Sequence, residues 1–146
     1  MAKSMLKDLE SATMRSQIGT RAFSTGALAI GSAAAKAKTA ATIGYCINNV
    51  LYTKAATDDL FVHTDLTVQD EDTTKYYLLT LDSGGNALIT QGTSDALPDV
   101  PANTCPVGYL KVVTVAVTFT PATTSHAASG VTTTYVNLSQ LPLTLA

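Results

Sequence analysis

Apolar and polar residues alternate along much of the chain beyond residue 40, as they do in β strands with one buried face. The first such segment, TIGYCINNVLYTK, has two apolar-rich runs around Asn48 and Asn49, residues that tolerate the positive φ of a tight turn. This segment is predicted to form a β hairpin. The next run, LFVHTDLTV, is predicted to be a strand with one face formed by Leu60, Val62 and Leu66.

The segment KYYLLTLDSGGNALITQG has the strongest hairpin pattern in the chain. Tyr77, Leu79 and Leu81 share one face of its first run, Gly84-Gly85 supplies a turn, and ALITQ returns. The following segment, ALPDVPANTCP, contains three prolines and is predicted to be an extended connector, because proline cannot donate a hydrogen bond in a central strand.

The longest alternating run, VGYLKVVTVAVTFT over residues 107–120, is predicted to be a strand that ends at Pro121. A turn at Gly130 then leads to a last strand, VTTTYVNL. The long run should place larger side chains on one face and smaller ones on the other, with Lys111 as an exception: Val107, Tyr109, Val113, Val115, Val117 and Phe119 against Thr114, Ala116, Thr118 and Thr120. About seven strands with short turns favour a mainly β fold, either a compact β-sandwich or a small barrel.

The amino-terminal part of the chain has a different pattern. Residues 4–14 are predicted to form a short helix with Ser4 as a cap and a narrow apolar stripe of Met5, Leu6, Leu9 and Ala12. From residue 16 to 39 the chain is rich in Gly, Ala, Ser and Thr and has too few large apolar residues to fold alone. We therefore predict an extended arm over residues 1–39 and a β-rich body over residues 40–146.

Composition supports a β-rich chain with little surface charge. Charged residues make up only 14%, against about a quarter in average soluble proteins, and about one residue in six is threonine. Threonine favours strands and lets an exposed face remain hydrated without charge. Over residues 100–146 the sole formal charge is that of Lys111.

The charge is distributed unevenly between the arm and the body. Residues 1–38 carry six cations and two acids, a net charge of +4, whereas the rest carries three cations and nine acids, a net charge of −6. These cations are too dilute and too poor in neighbouring aromatic residues to favour nucleic acid, so we predict an arm that binds an acidic protein surface. The candidate residues are Lys3, Lys7, Arg15, Arg21, Phe23, Lys36 and Lys38.

The acidic residues of the body gather within residues 58–72. They are predicted to form either a solvated acidic loop or a docking loop that meets a basic patch on a neighbouring subunit, and the DED run could alternatively hold a hard cation such as Ca²⁺. The loop lacks the glycine-bearing twelve-residue pattern of an EF-hand. The residues concerned are Asp58, Asp59, Asp65, Asp70, Glu71 and Asp72.

No motif for catalysis or cofactor binding is found, and the chain is predicted to be non-enzymatic and to need no cofactor. His63 and His126 are isolated in sequence and are expected to be surface or hydrogen-bonded core histidines rather than zinc ligands. Cys46 and Cys105 are either two buried free thiols or one bridge. No segment reaches the about 20 apolar residues of a membrane span, and no signal peptide is apparent, so we expect no membrane partner and no secretion.

Three segments of the carboxy-terminal half belong together: YYLLTLDSGGNALITQG, ALPDVPANTCPVGYLKVVT and FTPATTSHAASGVTTTYVNLSQLP. Within a match over roughly residues 40–142, they resemble small structural proteins of tailed-bacteriophage virions. Ala122 stands where this resemblance has a glycine. The matching motifs are structural and not catalytic.

The resemblance implies a capsid cement or decoration protein, or a head fibre, that acts by binding alone. Its partners would be the major capsid protein and further copies of itself, with a trimer favoured over a dimer and no direct contact with nucleic acid. It would be made in the host cytoplasm and located on the capsid exterior. There it would bind the major capsid lattice through its N-terminal arm, and bridge and stabilise neighbouring capsomers. The alternative is a tail-fibre or baseplate module that binds a host receptor or glycan through Tyr109 and Tyr135.

Overall fold

The computed structural model describes residues 19–94 and 96–139, and these residues form ten strands and no helix. The helix predicted over residues 4–14 lies outside the described residues. The strands in chain order are β1 (Arg21–Ala22), β2 (Leu28–Ile30), β3 (Lys36–Thr39), β4 (Ile43–Ile47), β5 (Val50–Lys54), β6 (Thr57–Val62), β7 (Thr74–Asp82), β8 (Ala87–Gln91), β9 (Thr104–Thr114) and β10 (Val131–Asn137).

The strands form three antiparallel sheets around one hydrophobic core. The sheet orders are β1-β4-β5, β2-β3-β6 and β10-β9-β7-β8. Buried residues from all three sheets, among them Tyr45, Phe61 and Leu79, belong to the same core cluster. The mainly β prediction is therefore confirmed. The sheets are open, so the barrel alternative is not found.

The described part of the predicted arm is built into these sheets. β1 pairs with β4 through Arg21 and Cys46, and β3 pairs with both β2 and β6. The predicted boundary at residue 39 is therefore wrong for residues 19–39, which belong to the β body. Small side chains suffice here because these strands are short, and they still reach the core: Ala37 in the central strand β3 is fully buried, and Leu28 in the edge strand β2 is nearly so.

Both predicted hairpins are present. Asn48 and Asn49 have φ angles of 49° and 68°, which give the β4–β5 turn its left-handed backbone. In the β7–β8 hairpin, the Asp82 carboxylate accepts hydrogen bonds from the amides of Gly84 at 2.7 Å and Asn86 at 2.9 Å. Hydrogen bonds from the side chain and the backbone amide of Asn86 are the main causes that hold the pKa of Asp82 below its ordinary value. The backbone amides of Gly84 and Gly85 lower it further.

Strand β9 corrects two of the predictions. It begins at Thr104, inside the predicted connector, and it is a central strand between β10 and β7. Its pairing with β7 shifts register between Leu79 and Thr80, opposite Gly108 and Pro106. This β-bulge accommodates the proline and moves the buried face from odd to even positions, so Leu110 and Val112 lie in the core.

Strand β6 also differs from the predicted face. It ends at Val62, and Phe61 is its fully buried residue, whereas Leu60 packs at the margin of the core and Val62 is exposed. Alternation did not identify the core face, because both faces of this strand carry apolar residues.

Ala122 adopts a φ of 63°, in the left-handed region that favours glycine. Ala122 therefore has the backbone conformation that suits the glycine expected at this position from the resemblance.

Candidate functional site

The predicted basic and acidic docking residues meet each other within the chain. β3 and β6 are antiparallel neighbours, and across them Lys36 Nζ lies 3.9 Å from Asp59 while Lys38 Nζ lies 3.9 Å from Asp58. These side chains are about one-quarter to one-half exposed, so solvent screens both ion pairs. Two of the predicted arm cations and two of the predicted loop acids are therefore matched internally.

The two aspartates of β6 also hold the turn between β2 and β3. Asp58 accepts hydrogen bonds from the amide of Ser32 at 3.1 Å and from its hydroxyl, and Asp59 accepts one from the amide of Ala33 at 3.0 Å. The Ser32 hydroxyl and amide are the main causes that lower the pKa of Asp58. These carboxylates therefore have a clear structural role.

The remaining acids do not join Asp58 and Asp59 in one loop. Asp65 lies in a turn just after β6, and the exposed residues 70–72 precede β7. The Asp72 carboxylate accepts a hydrogen bond from the Ala116 amide at 3.0 Å. Within residues 19–94 and 96–139, no three His, Cys, Asp or Glu side chains are grouped so as to hold a metal ion. The predicted acidic loop is thus divided between β6, the turn after it and the segment before β7.

The other predicted arm residues are divided between the sheets and the amino terminus. Arg21 lies half-buried in β1, and the amide of half-buried Phe23 donates to the Gly44 carbonyl at 2.8 Å. Lys3, Lys7 and Arg15 lie outside the described residues. The structure therefore brings none of the predicted arm residues together as an exposed basic patch within the described part of the chain.

The most exposed apolar strand is β5, at the edge of its sheet. Val50 is 52% exposed and Leu51 is 67% exposed, and β5 pairs with β4 on one side while no described strand pairs with its other side. The strand carries no charge before Lys54. An apolar edge with unpaired backbone groups is a surface to which another strand can add. Sequence periodicity predicted the strand but not its exposure.

The histidines form a buried cluster that sequence analysis did not predict. His63 and His126 have ring centroids 4.9 Å apart with perpendicular planes, and the cluster also includes Tyr77 and Phe119. The His126 amide donates to the Ala34 carbonyl at 2.8 Å, so the loop before β10 is joined to the β2–β3 turn. The two histidines lie 63 positions apart in the chain, and no local pattern signals their contact.

The polar atoms of this cluster are only partly satisfied. His126 Nδ1 lies 2.7 Å from the Tyr135 hydroxyl, whereas its Nε2 and both ring nitrogens of His63 have no hydrogen-bond partner among the described residues. Burial is the main cause that lowers the pKa of His63 to about 3 and of His126 to about 4, and for His63 the second imidazole adds to the shift. The Ala35 backbone near His63 opposes the shift but is not at hydrogen-bonding geometry. Both rings are therefore neutral at neutral pH.

The buried side-chain amide of Gln69 is hydrogen-bonded to Tyr77, a member of the same cluster. Gln69 Nε2 donates to the carbonyls of Thr73 at 3.1 Å and Val112 at 3.0 Å, and its Oε1 accepts from the Tyr77 hydroxyl at 3.0 Å. Its backbone exchanges two 2.9 Å hydrogen bonds with Phe119. Gln69 therefore anchors the loop before β7 to the loop after β9. Its role is structural.

Cys46 and Cys105 are both buried free thiols, which matches one of the two alternatives drawn from the sequence. Burial raises the pKa of Cys105 to about 11, against the opposing effect of the nearby Cys46 amide. Because the thiolate is the nucleophile, this thiol is unreactive at neutral pH.

Comparison with protein-family models, curated proteins and solved structures finds no match for this chain. Among the described residues, no helix is long and apolar enough to span a membrane.

Proposed function

We propose that the protein is a non-enzymatic cement or decoration protein of a bacteriophage capsid. It binds the major capsid lattice on the capsid exterior, assembles as a homo-oligomer and bridges neighbouring capsomers. A trimer suits local three-fold positions better than a dimer does. The resemblance of residues 40–142 to virion structural proteins and the low charge of the β body support this proposal.

The observation that carries most weight is the uncharged outer edge of β5. Burying Val50 and Leu51 against a neighbouring subunit removes apolar surface from water and leaves no charged group buried without a partner. The edge also offers backbone groups for strand addition. A protein that acts by binding alone needs a surface of this kind.

The internal ion pairs change the electrostatic part of the proposal. With Lys36 and Lys38 matched by Asp59 and Asp58, residues 1–18 carry three cations and two acids, a net charge of +1 instead of the +4 of residues 1–38. Such a segment provides weak electrostatic attraction to an acidic lattice. Apolar contact through β5 therefore carries more of the proposed docking than the arm does.

The test is co-sedimentation of the purified protein with expanded and unexpanded phage capsids. We expect binding to expanded capsids that Leu51→Asp reduces by at least tenfold, because a charge would be buried at the contact. Leu97→Asp is the matched control, since Leu97 is a 43% exposed leucine on a loop. Equal binding by both variants, or no binding to either capsid form, would contradict the proposal.

The contribution of the amino terminus is tested by a truncation that removes residues 1–18 only. A deletion through residue 38 would remove β1, β2 and most of β3 and would disrupt the fold. Charge-neutral substitutions at Lys3, Lys7 and Arg15 separate the effect of charge from that of chain length. We expect both changes to weaken capsid binding less than Leu51→Asp does.

The second candidate is a tail-fibre or baseplate module that binds a glycan. Tyr109 supports it, because this half-buried ring lies 6.0 Å from Tyr76 and the pair offers an aromatic surface. Tyr135 does not support it, since its hydroxyl contacts buried His126 and its ring packs against the core.

Two measurements distinguish the candidates. Quantitative mass spectrometry of purified virions should find on the order of hundreds of copies for a protein that occupies the capsid lattice, and about a dozen or fewer for a tail component. Tyr109→Ala should abolish polysaccharide binding in the glycan case and leave capsid binding unchanged in the capsid case.

A further inference from the structure

The backbone of β5 presents two residues to its open side. The amide of Phe23, just after β1, donates to the Gly44 carbonyl at 2.8 Å, so the even-numbered residues of β4 direct their backbone groups towards β1. Alternate residues of a strand direct these groups to opposite sides, so the odd-numbered residues of β4 direct theirs towards β5. The partners of those residues in β5 are Val50, Tyr52 and Lys54. The amides and carbonyls of Leu51 and Thr53 therefore point away from β4.

The side chains of β5 favour an apolar partner at this edge. Among the described residues, Val50 and Leu51 are more exposed than any other large apolar residue that lies in a strand, and the next is Leu88 of β8 at 44%. Lys54, the last residue of β5, is its one charged side chain. The strand that fits this edge is therefore itself apolar and nearly uncharged, and a second copy of β5 meets both conditions.

A two-fold axis at Tyr52 matches every residue of β5 with a residue of a second copy. Because two strands related by such an axis are antiparallel, Leu51 of one copy lies opposite Thr53 of the other, and their outward backbone groups exchange hydrogen bonds. Tyr52 lies opposite the same residue of the second copy, which gives an aromatic cross-strand pair. An axis at residue 51 or 53 would leave part of each strand unpaired.

The charges of β5 agree with this register. Lys54 lies opposite Val50 of the second copy, so the two lysines are separated by about 14 Å along the paired strands. This separation exceeds the Debye length of about 8 Å at physiological ionic strength, so repulsion between the lysines is largely screened. A parallel pair in the same register would place the two lysines directly opposite each other, which is destabilising.

We propose that two copies of the free protein pair through β5 in an antiparallel arrangement centred on Tyr52. The pair joins two three-stranded sheets into one sheet of order β1-β4-β5-β5-β4-β1. The inference rests on the same edge as the proposed function, because a paired copy cannot present β5 to a capsid. The pair must therefore separate before docking, and a trimer at a three-fold position would form on the lattice, after β5 has been released.

Register-specific disulfides test the pairing in the purified full chain without capsids. Cα atoms of a hydrogen-bonded antiparallel pair lie about 5.5 Å apart, within the range of a disulfide, whereas diagonal neighbours lie about 7–8 Å apart. An equimolar mixture of Leu51→Cys and Thr53→Cys chains, treated with oxidised glutathione, should therefore form a cross-linked heterodimer at least about tenfold faster than either variant alone. Cys46 and Cys105 are buried in the folded chain and should not react.

Each alternative arrangement gives a different result. Cross-linking of Leu51→Cys alone as fast as in the mixture would show a parallel pair or another register. Species larger than a dimer in sedimentation equilibrium of the parent protein would show that β5 pairs with a different edge of the next copy. A monomer at every concentration would show that no second copy covers β5. Any of these three results would overturn the proposal.

The cross-linked heterodimer also separates this inference from the proposed function. It should not co-sediment with expanded capsids, and its reduction to single chains should raise binding at least about tenfold. Capsid binding by the cross-linked pair would overturn the inference, because pairing and docking would then use different surfaces. If the pair forms but no chain binds capsids, the proposed function fails and the pairing stands. If no pair forms but Leu51→Asp still reduces capsid binding, the proposed function stands and the pairing fails.

Discussion

Buried polar side chains determine the chemistry of the interior at the scale of single residues. His63 and His126 are in contact and buried, and three of their four ring nitrogens lack a partner among the described residues. A second proton on either ring would place a charge in an apolar environment beside another imidazole. The fold therefore requires both rings to be neutral.

Acid should destabilise the protein through these two histidines. Their folded pKa values of about 3 and about 4 lie below the ordinary 6.5, so the unfolded chain binds more protons between these values. Their contribution to stability is complete above about pH 6.5 and falls as the pH decreases, by about 1.4 kcal/mol per pH unit for each ring at most. Urea unfolding between pH 7 and 4.5 measures this slope.

His63→Phe is the informative variant, because phenylalanine keeps an aromatic ring in the site and cannot be protonated. It should remove about half of the dependence of the unfolding free energy on pH. An unchanged dependence would contradict the role of His63 in acid destabilisation. The carboxylates with lowered pKa values, Asp58 and Asp82, contribute mainly below their ordinary value of 3.8, so they do not obscure this pH range.

Replacing Ala122 with glycine should stabilise the turn that contains it. Because a side chain at a φ of 63° is strained, Ala122→Gly should be neutral or raise the free energy of unfolding by up to about 1 kcal/mol. Ala127→Gly is the control, since Ala127 is also exposed but has no positive φ, and it should destabilise. A lower melting temperature for Ala122→Gly than for Ala127→Gly would contradict this expectation.

At the scale of elements, the β-bulge in β9 determines which side chains enter the core. It also brings Gly108 against its neighbours: a Cβ there would meet the Leu28 side chain and would lie 2.6 Å from the Val136 carbonyl oxygen. Gly108 thus lies directly against the Leu28 side chain of β2, next to the paired strand β10. A close approach of this kind requires glycine.

Gly108→Ala should therefore destabilise the fold by about 1–3 kcal/mol, because the neighbouring strands must shift. Gly44→Ala is the matched control in β4, where the nearest atom to a new Cβ is Ser24 Oγ at 3.8 Å, an ordinary contact. This control should change the free energy of unfolding by less than about 0.5 kcal/mol. If urea denaturation shows that both variants lose the same free energy of unfolding, the close contacts of Gly108 are not the cause of the loss.

At the scale of the molecule, the described residues form three open sheets that share one core and leave edge strands at the surface. In the free protein, where no capsid covers it, the exposed edge of β5 should support self-association. Sedimentation equilibrium should give a mass above that of one chain, and Leu51→Asp should shift the protein towards the monomer by at least tenfold in dissociation constant. A monomeric parent protein would contradict this expectation.

The predictions from sequence held where one local signal was decisive and failed where two distant segments had to be compared. The Asn48-Asn49 and Gly84-Gly85 turns and the Tyr77 face were confirmed because turn residues and strict alternation are local. The acidic and basic residues were predicted as two separate docking groups, but the β3–β6 pairing placed Lys36 beside Asp59. Net charge along a chain does not reveal which charges become neighbours.

The mainly β class, the hairpins and the low charge follow from the sequence alone, because strand periodicity, turn residues and composition act over a few neighbouring positions. Three features emerge only when the chain folds: residues 19–39 join the sheets, β9 changes its buried face at a bulge, and two isolated histidines share one buried cluster. Each of these depends on pairing between segments far apart in the chain. Such pairing is selected by the packing of the whole core, and short-range patterns do not encode it.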